Sequence, residues 1–391
     1  MFPELAQELA DLEAQSLRRR LQVVEEVLPG GKVRVAGRVL LNLSSNDYLG
    51  LAQDPRLIQG AQEAAARWGA GAGASRLVVG NLGLHEEIEA DLAAFKGTEA
   101  AVIFSTGYMA NVGTIAALAG PGDVICSDRL NHASIMDGIK LSGANLERFP
   151  HRDLNRLEKM LKQAAAGKRR LIITDSVFSV DGDLAPLKEI VELKERYGAW
   201  LMIDEAHATG VLGSGGAGLA QALGLTAAVD IHMGTFSKAF GSLGGYVAGD
   251  RRLIDYLHNR ARSFIYSTAL PPPVLGAIRA ALAVVREEPE RRLSLLGQAA
   301  RFRRGLINAG FDTLGSETQI VPALLGKNEP TLQFAAALRD RGLMAVALRP
   351  PTVPPGKARV RFSLSAAHGE EDLSRALETI VLTGRELGLV K

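Results

Sequence analysis

The chain has 391 residues, 47% hydrophobic and 23% charged, which is the balance of a globular protein with room for two or three domains. Lys plus Arg number 45 and Asp plus Glu 43, so no broad basic surface for nucleic acid is implied. The lone Cys126 excludes an internal disulfide and a four-cysteine zinc site, and it fits a reducing cytoplasm.

Residues 1–45 read as an N-terminal helix and arm. Leu5, Leu9, Leu12 and Leu21 recur at helical spacing among acidic residues, which predicts an amphipathic helix and not a signal peptide. "NLSSNDYLGLA" (42–52) is a loop of turn formers. From about residue 100, short apolar runs at 101–105, 123–127, 146–150, 171–175, 200–204, 230–235 and 244–249 read as strands. Helical stretches such as Leu154–Ala166 and Leu187–Tyr197 lie between them. The span from Ala100 to Gly120 carries Ser105, Thr106, Asn111 and Thr114, so it reads as strand then helix and not as a membrane span. The alternation predicts an α/β large domain at 46–285, with a mostly parallel seven-stranded sheet covered by helices on both faces. After "REEPERR" the pattern predicts a smaller α/β domain at 286–391. A long helix is followed there by strands at 320–325, 343–348 and 358–364 and helices at 330–341 and 371–387.

The polar residues gather where these strands end, the place at which open α/β sheets bind ligands. "STGYMAN" follows the first run, "SVFSVDGD" the run at 171–175, and "DEAHATG" ends the run at 200–204. "MGTFSKAFGSLGG" places Thr235 and Lys238 after the run at 230–235. Gly107 and Tyr108 open a helix, where free N–H groups and the helix dipole suit a phosphate, although an ordinary strand-to-helix turn has the same appearance. No phosphate loop of the G-x-x-x-x-G-K-[ST] type and no nicotinamide-type G-x-G-x-x-G after the first strand is present. Asp204 and His207 stand three apart, and without an H-E-x-x-H motif they predict no metal. His132 is a lone histidine in a loop. A desolvated Lys238 would lose its proton readily and form a Schiff base with an aldehyde.

Together these strings resemble a family. A strand-ending Asp-x-x-His about thirty residues before a Thr-x-x-Lys resembles the fold-type-I enzymes that use pyridoxal 5′-phosphate. Within them, "GAGASRLVVGN", "SDRLNHASIMDG", "DEAHATGVLG", "GTFSKAFGSLGGY", "FIYSTALPP" and "RVRFSLSAAH" resemble the α-oxoamine synthases, in order, over nearly the whole chain. The resemblance implies a decarboxylative condensation of an amino acid with an acyl thioester. It implies that Lys238 holds the cofactor as a Schiff base and then serves as the base. Asp204 is expected at the ring nitrogen, His132 on the ring face, and His207 and Ser179 near the ring hydroxyl. Gly107, Tyr108 and Thr235 are expected at the phosphate, with Thr268 reaching the phosphate of a neighbouring subunit. Arg361 is expected at the amino-acid carboxylate, with Asn46, Thr352 and one N-terminal arginine as further substrate contacts. "LRRR" matches Arg18, and the general family pattern matches Arg19.

The segment 348–368, "LRPPTVPPGKARVRFSLSAAH", is similar to the members that join L-alanine to a pimeloyl thioester and release CO2. Glycine-using members such as glycine C-acetyltransferase are the alternative. A cytoplasmic homodimer with sites at its interface is implied, with coenzyme A or acyl carrier protein carrying the acyl group. No nucleic acid, membrane or metal partner is expected.

Overall fold

The computed structural model describes residues 2–164 and 168–391, and its contacts divide them into two compact units. One comprises residues 49–179 and 184–293; the other comprises 1–48, 180–183 and 294–391. The N-terminal segment thus groups with the C-terminal residues, and the change of unit at 293/294 falls inside the helix Pro289–Asn308.

The larger unit is built on seven strands, β1 (Ala100–Phe104), β2 (Val124–Asp128), β3 (Asn145–Phe149), β4 (Arg170–Asp175), β5 (Trp200–Asp204), β6 (Ile231–Thr235) and β7 (Gly245–Gly249). Each lies within a residue or so of its predicted run. Their order across the sheet is β1-β7-β6-β5-β4-β2-β3. Only β7 runs antiparallel, to both β1 and β6. Every residue of β1, β2, β6 and β7 is buried, as strands covered on both faces must be. The edge strand β3 instead exposes its first four residues, Glu147 and Arg148 among them, which discourages pairing with another chain. The helices that matter for the site are α1 (Gly107–Leu118) and α2 (Ala133–Ser142), with α3 (Leu154–Gln163) and α4 (Leu187–Tyr197) as later crossovers. The end of the helix predicted at 154–166 lies outside the described residues.

The helix Pro55–Trp68 packs on Pro272–Glu287 through two glycines. A Cβ on Gly60 would come within 2.7 Å of the Gly276 carbonyl oxygen, so the backbones touch only because both side chains are hydrogen. Asp54 caps the first of these helices and accepts from Arg56 N at 3.0 Å, from Arg56 Nε at 2.9 Å and from Arg291 at 3.0 Å. The Arg56 hydrogen bond holds the Asp54 carboxyl at about 2, below its unfolded value of 3.8. Its stabilisation is therefore complete above the unfolded value and is lost as pH falls through the folded one. Asp54→Asn is expected to cost roughly 1–2 kcal/mol at neutral pH. In urea unfolding it is also expected to flatten the loss of stability that the native chain shows on acidification through this window.

In the smaller unit the N-terminal helix spans Pro3–Ala14, not the full run to Leu21. The amides of Leu17 and Arg18 fold back onto the Leu12 carbonyl and Ser16 takes a left-handed φ of 56°, so the chain leaves the helix and Leu21 is fully exposed. Strands Glu26–Leu28, Lys32–Val35 and Arg38–Asn42, unforeseen in the arm, join Leu343–Met344 in a four-stranded sheet. Ile320–Gly326, Ala358–Ser363 and Val346–Leu348 form a second, antiparallel sheet, with helices Asn328–Asp340 and Glu370–Glu386. Among the described residues no helix is long and apolar enough to cross a membrane.

Candidate active site

The parallel strands of the larger unit end in polar side chains around one cavity of about 270 Å³. Asp204 closes β5 after four apolar residues and is buried. Its Oδ1 accepts from Ala206 N at 2.9 Å and its Oδ2 from Asn111 Nδ2 at 2.8 Å. Asn111, on α1, also donates to Ser134 Oγ at 2.9 Å, and Ser134 Oγ lies 2.7 Å from His132 Nδ1. His132 caps α2 by accepting from Ser134 N at 3.2 Å. A continuous polar chain therefore ties Asp204 to His132 through residues far apart in sequence. The protein around the His132 imidazole lowers its affinity for a proton; Lys238 lowers it further, against the pull of Asp204 and Asp137.

The segment that carries Asp204 and His207 is anchored from beneath. Lys96, the last residue of the helix Gly83–Lys96, donates to Glu205 and to the Ala217 carbonyl, and Glu205 Oε1 accepts from Ala220 N at 3.0 Å. Burial would raise the Glu205 carboxyl, but Lys96 and His232 together outweigh it and hold the group at about 2. Glu205 N donates to the Met233 carbonyl of β6, which fixes the loop against the next strand.

At the other side of the cavity, α1 begins with Gly107 and Tyr108. Thr106 caps it by accepting from Met109 N at 3.1 Å, while helix geometry leaves the first two amides without an intrahelical carbonyl. A Cβ on Gly107 would crowd Met233 and Thr235 at 3.2–3.4 Å, and one on Gly245 would lie 2.6 Å from Gly107 Cα, so Gly245 admits no side chain and lets the backbone approach the start of α1. The Thr235 hydroxyl donates to the Gly244 carbonyl at 2.6 Å and lies 2.8 Å from Ser237 Oγ. Tyr108 donates to Asp137 at 2.5 Å.

The cavity thus brings together Gly107, Tyr108, His132, Ser179, Asp204, His207, Thr235 and Lys238. Lys238 is half-buried at its rim. Thr268 does not line it; it bridges to Ser75, and its carbonyl accepts from Ser105 Oγ at 3.0 Å. Sequence reasoning passed over Asn111, Ser134 and Asp175, which line the same cavity. Among the described residues no cluster of three or more His, Cys, Asp or Glu could hold a metal ion. A larger groove of about 870 Å³ opens at the opposite ends of the strands, near Trp200, Asp230 and Tyr256, but none of the candidate residues lines it.

The residues expected at substrate form two pairs within the smaller unit. Arg361 Nη2 donates to Asn46 Oδ1 at 2.8 Å, and Tyr48 donates to the same oxygen at 3.1 Å. Burial pushes the Tyr48 hydroxyl up to about 12, against the opposing charge of Arg361. Arg19 donates to Thr352 Oγ1 at 3.0 Å. Arg18 and Arg20 both turn to Glu13, at 3.5 and 3.1 Å, so of the three arginines Arg19 alone meets another expected substrate residue.

The family model described as aminotransferase class I and II matches residues 38–380. The 8-amino-7-oxononanoate synthase of Geobacter sulfurreducens is 52% identical over 393 residues, covering all of both chains. A putative 8-amino-7-oxononanoate synthase of Geobacillus kaustophilus is 51% identical over 391 residues, again over the full length of both. A solved serine palmitoyltransferase from S. paucimobilis, with bound PLP–myriocin aldimine, superposes with a TM-score of 0.95 at 32% identity, over 99% of this chain and 98% of that one. The chain belongs to the class I and II aminotransferase family, in its α-oxoamine synthase branch, whose cofactor is pyridoxal 5′-phosphate.

The residues present fit that cofactor. The close-packed glycine corner at the α1 terminus offers amide donors to a phosphate. The buried, doubly hydrogen-bonded Asp204 offers a fixed anion to a ring nitrogen. Lys238 offers an amine at the rim.

Proposed function

We propose that the protein condenses L-alanine with a pimeloyl thioester, releasing CO2, as an 8-amino-7-oxononanoate synthase of biotin formation. What carries this reading is the single cavity that holds Lys238, Asp204, His132 and His207, in a chain about half identical, end to end, to relatives of that name.

Bound in the cavity, pyridoxal 5′-phosphate supplies an electron sink for the pair left on the amino acid when a proton or CO2 departs. Lys238 would hold the cofactor through its aldehyde and, as a free amine, would take the Cα proton of alanine. Asp204 keeps a proton on the ring nitrogen, which deepens the sink. His132 would face the ring and orient the incoming acyl carbonyl. His207 and Ser179 hold the ring hydroxyl. The Gly107 and Tyr108 amides, with Thr235, bind the phosphate. Arg361 takes the alanine carboxylate with its guanidinium fork, helped by Asn46, while Arg19 and Thr352 contact the acyl donor. A cytoplasmic homodimer, with Thr268 completing the partner's phosphate site, and acylation from coenzyme A or acyl carrier protein belong to the same proposal.

Arg361→Lys keeps the charge but loses the fork. It is expected to raise the KM for alanine about 10- to 100-fold with a smaller change in kcat. An unchanged KM would remove Arg361 from the carboxylate. A serine-using synthase is the second reading, favoured by the 0.95 superposition on serine palmitoyltransferase. Purified protein given alanine, glycine or serine, each with pimeloyl, acetyl and palmitoyl thioesters, separates the readings by product mass. Alanine with the pimeloyl donor is expected to give the fastest turnover; faster turnover with another amino acid would overturn the assignment.

A further inference from the structure

Two carboxyl groups end neighbouring strands at the cofactor cavity, and the chemistry described above uses one. Asp175 closes β4 and Asp204 closes β5, paired in register. Both line the cavity and both are buried, at 3% and 6% exposure. Their partners differ. Asp204 receives two N–H donors, from Asn111 and Ala206, and both of its oxygens are engaged. Asp175 meets the backbone N–H of His132, while its Oδ1 is buried with no hydrogen-bond partner among the described residues. The strand end is itself pinned: Asp175 N donates to Asn131 Oδ1 at 2.9 Å, and Asn131 Nδ2 donates to the Ile173 carbonyl at 2.8 Å. The backbone that carries Asp175 is therefore held in place at the strand end.

A buried carboxylate with one bare oxygen is far costlier than a buried neutral acid. Two carboxylates on adjacent strand ends also repel, and the better solvated one keeps the charge. Here Asp204 has two donors and Asp175 one, so Asp204 is the better solvated of the two.

We propose that Asp175 is a neutral carboxylic acid, a positioning residue that holds the backbone of His132 and leaves Asp204 as the single anion beneath the cofactor ring. This rests on the assignment of the cavity to pyridoxal 5′-phosphate. Four groups act on Asp175 from the elements around it. Burial raises its carboxyl well above the ordinary range, and the charges of Asp204 on β5 and Asp128 at the end of β2 push the same way. Lys238, after β6, and the His132 backbone, before α2, oppose them. Asp128 is itself engaged with His151 at 3.1 Å and with Arg152 N at 2.9 Å. A charged Asp175 would divide the attraction for the ring cation between two strands, and a neutral one does not.

The isosteric amide separates the two cases. Asp175→Asn keeps a carbonyl acceptor for His132 N and carries no charge, so it should preserve cofactor affinity and kcat within about threefold. Asp175→Ala removes the acceptor and should weaken pyridoxal 5′-phosphate binding at least about tenfold. Difference infrared spectra of native protein against Asp175→Asn, recorded at neutral pH both without cofactor and loaded, should show a protonated-carboxyl stretch that disappears in the variant. That reading does not depend on whether the alanine variant folds. The proposal is overturned if no such band is lost, or if Asp175→Asn loses as much cofactor affinity as Asp175→Ala. Failure of the native protein to bind pyridoxal 5′-phosphate at all would instead strike the cavity assignment, while the spectrum of the cofactor-free protein still reports the state of Asp175.

Discussion

Lys238→Ala is expected to lower turnover at least about 10⁴-fold, because the proposed mechanism gives this lysine both the covalent anchoring of the cofactor and the removal of the substrate proton. The fold should survive. Lys238 is half-buried in the loop after β6, where the neighbouring Phe236 and Phe240 and the Thr235–Gly244 bond hold the local structure. Cofactor should still enter, since the helix terminus at Gly107 and the carboxylate of Asp204 are untouched. The variant should therefore bind pyridoxal 5′-phosphate without holding it through dialysis, melt near the native temperature, and make no product. Retention of normal turnover would move the chemistry to another residue.

Asp204→Asn is the next largest expected effect, a fall in kcat of about 10²–10⁴-fold with cofactor still bound. The amide keeps the shape of the carboxylate but cannot hold a proton on the ring nitrogen by charge. It also presents an NH2 where one oxygen now accepts, so either Asn111 Nδ2 or Ala206 N loses its acceptor. That local loss should cost about 1–3 kcal/mol in thermal or urea unfolding. The contrast with Asp175→Asn is the discriminating feature. Both changes are the same at the level of one side chain, in register on adjacent strands, yet only the one at Asp204 removes a working charge. Equal kinetics from the two variants would mean that neither carboxyl serves the ring as described.

The sheet was legible because its strands are buried on both faces and so read as continuous apolar runs, bounded by the polar residues that line the cavity. Asp204, His207, Thr235 and Lys238 stand where such runs stop, which is why their convergence could be foreseen. The strands at 26–42 escaped because they are short, turn through glycines at positive φ, and bury only a few of their residues, leaving no run and little alternation. Asn111, Ser134 and Asp175 stood inside strings already singled out, yet their roles exist only through partners on other segments: Asn111 reaches Asp204 across 93 positions. The buried pairs Arg76–Glu89, at 2.8 Å, and Lys96–Glu205 escaped for the same reason, since a charged residue on a helix ordinarily reads as solvated. The three arginines at 18–20 could not be told apart by pattern; the geometry distinguishes them because Glu13 takes two and Thr352 takes the third.

Everything assigned to the cavity depends on a covalent link between one lysine and the cofactor aldehyde. Borohydride reduction of the loaded protein, followed by peptide mass mapping, tests that link directly. The expected result is one added pyridoxyl phosphate per chain, on the peptide containing Lys238. Its appearance on another lysine, or on none, would contradict the assignment.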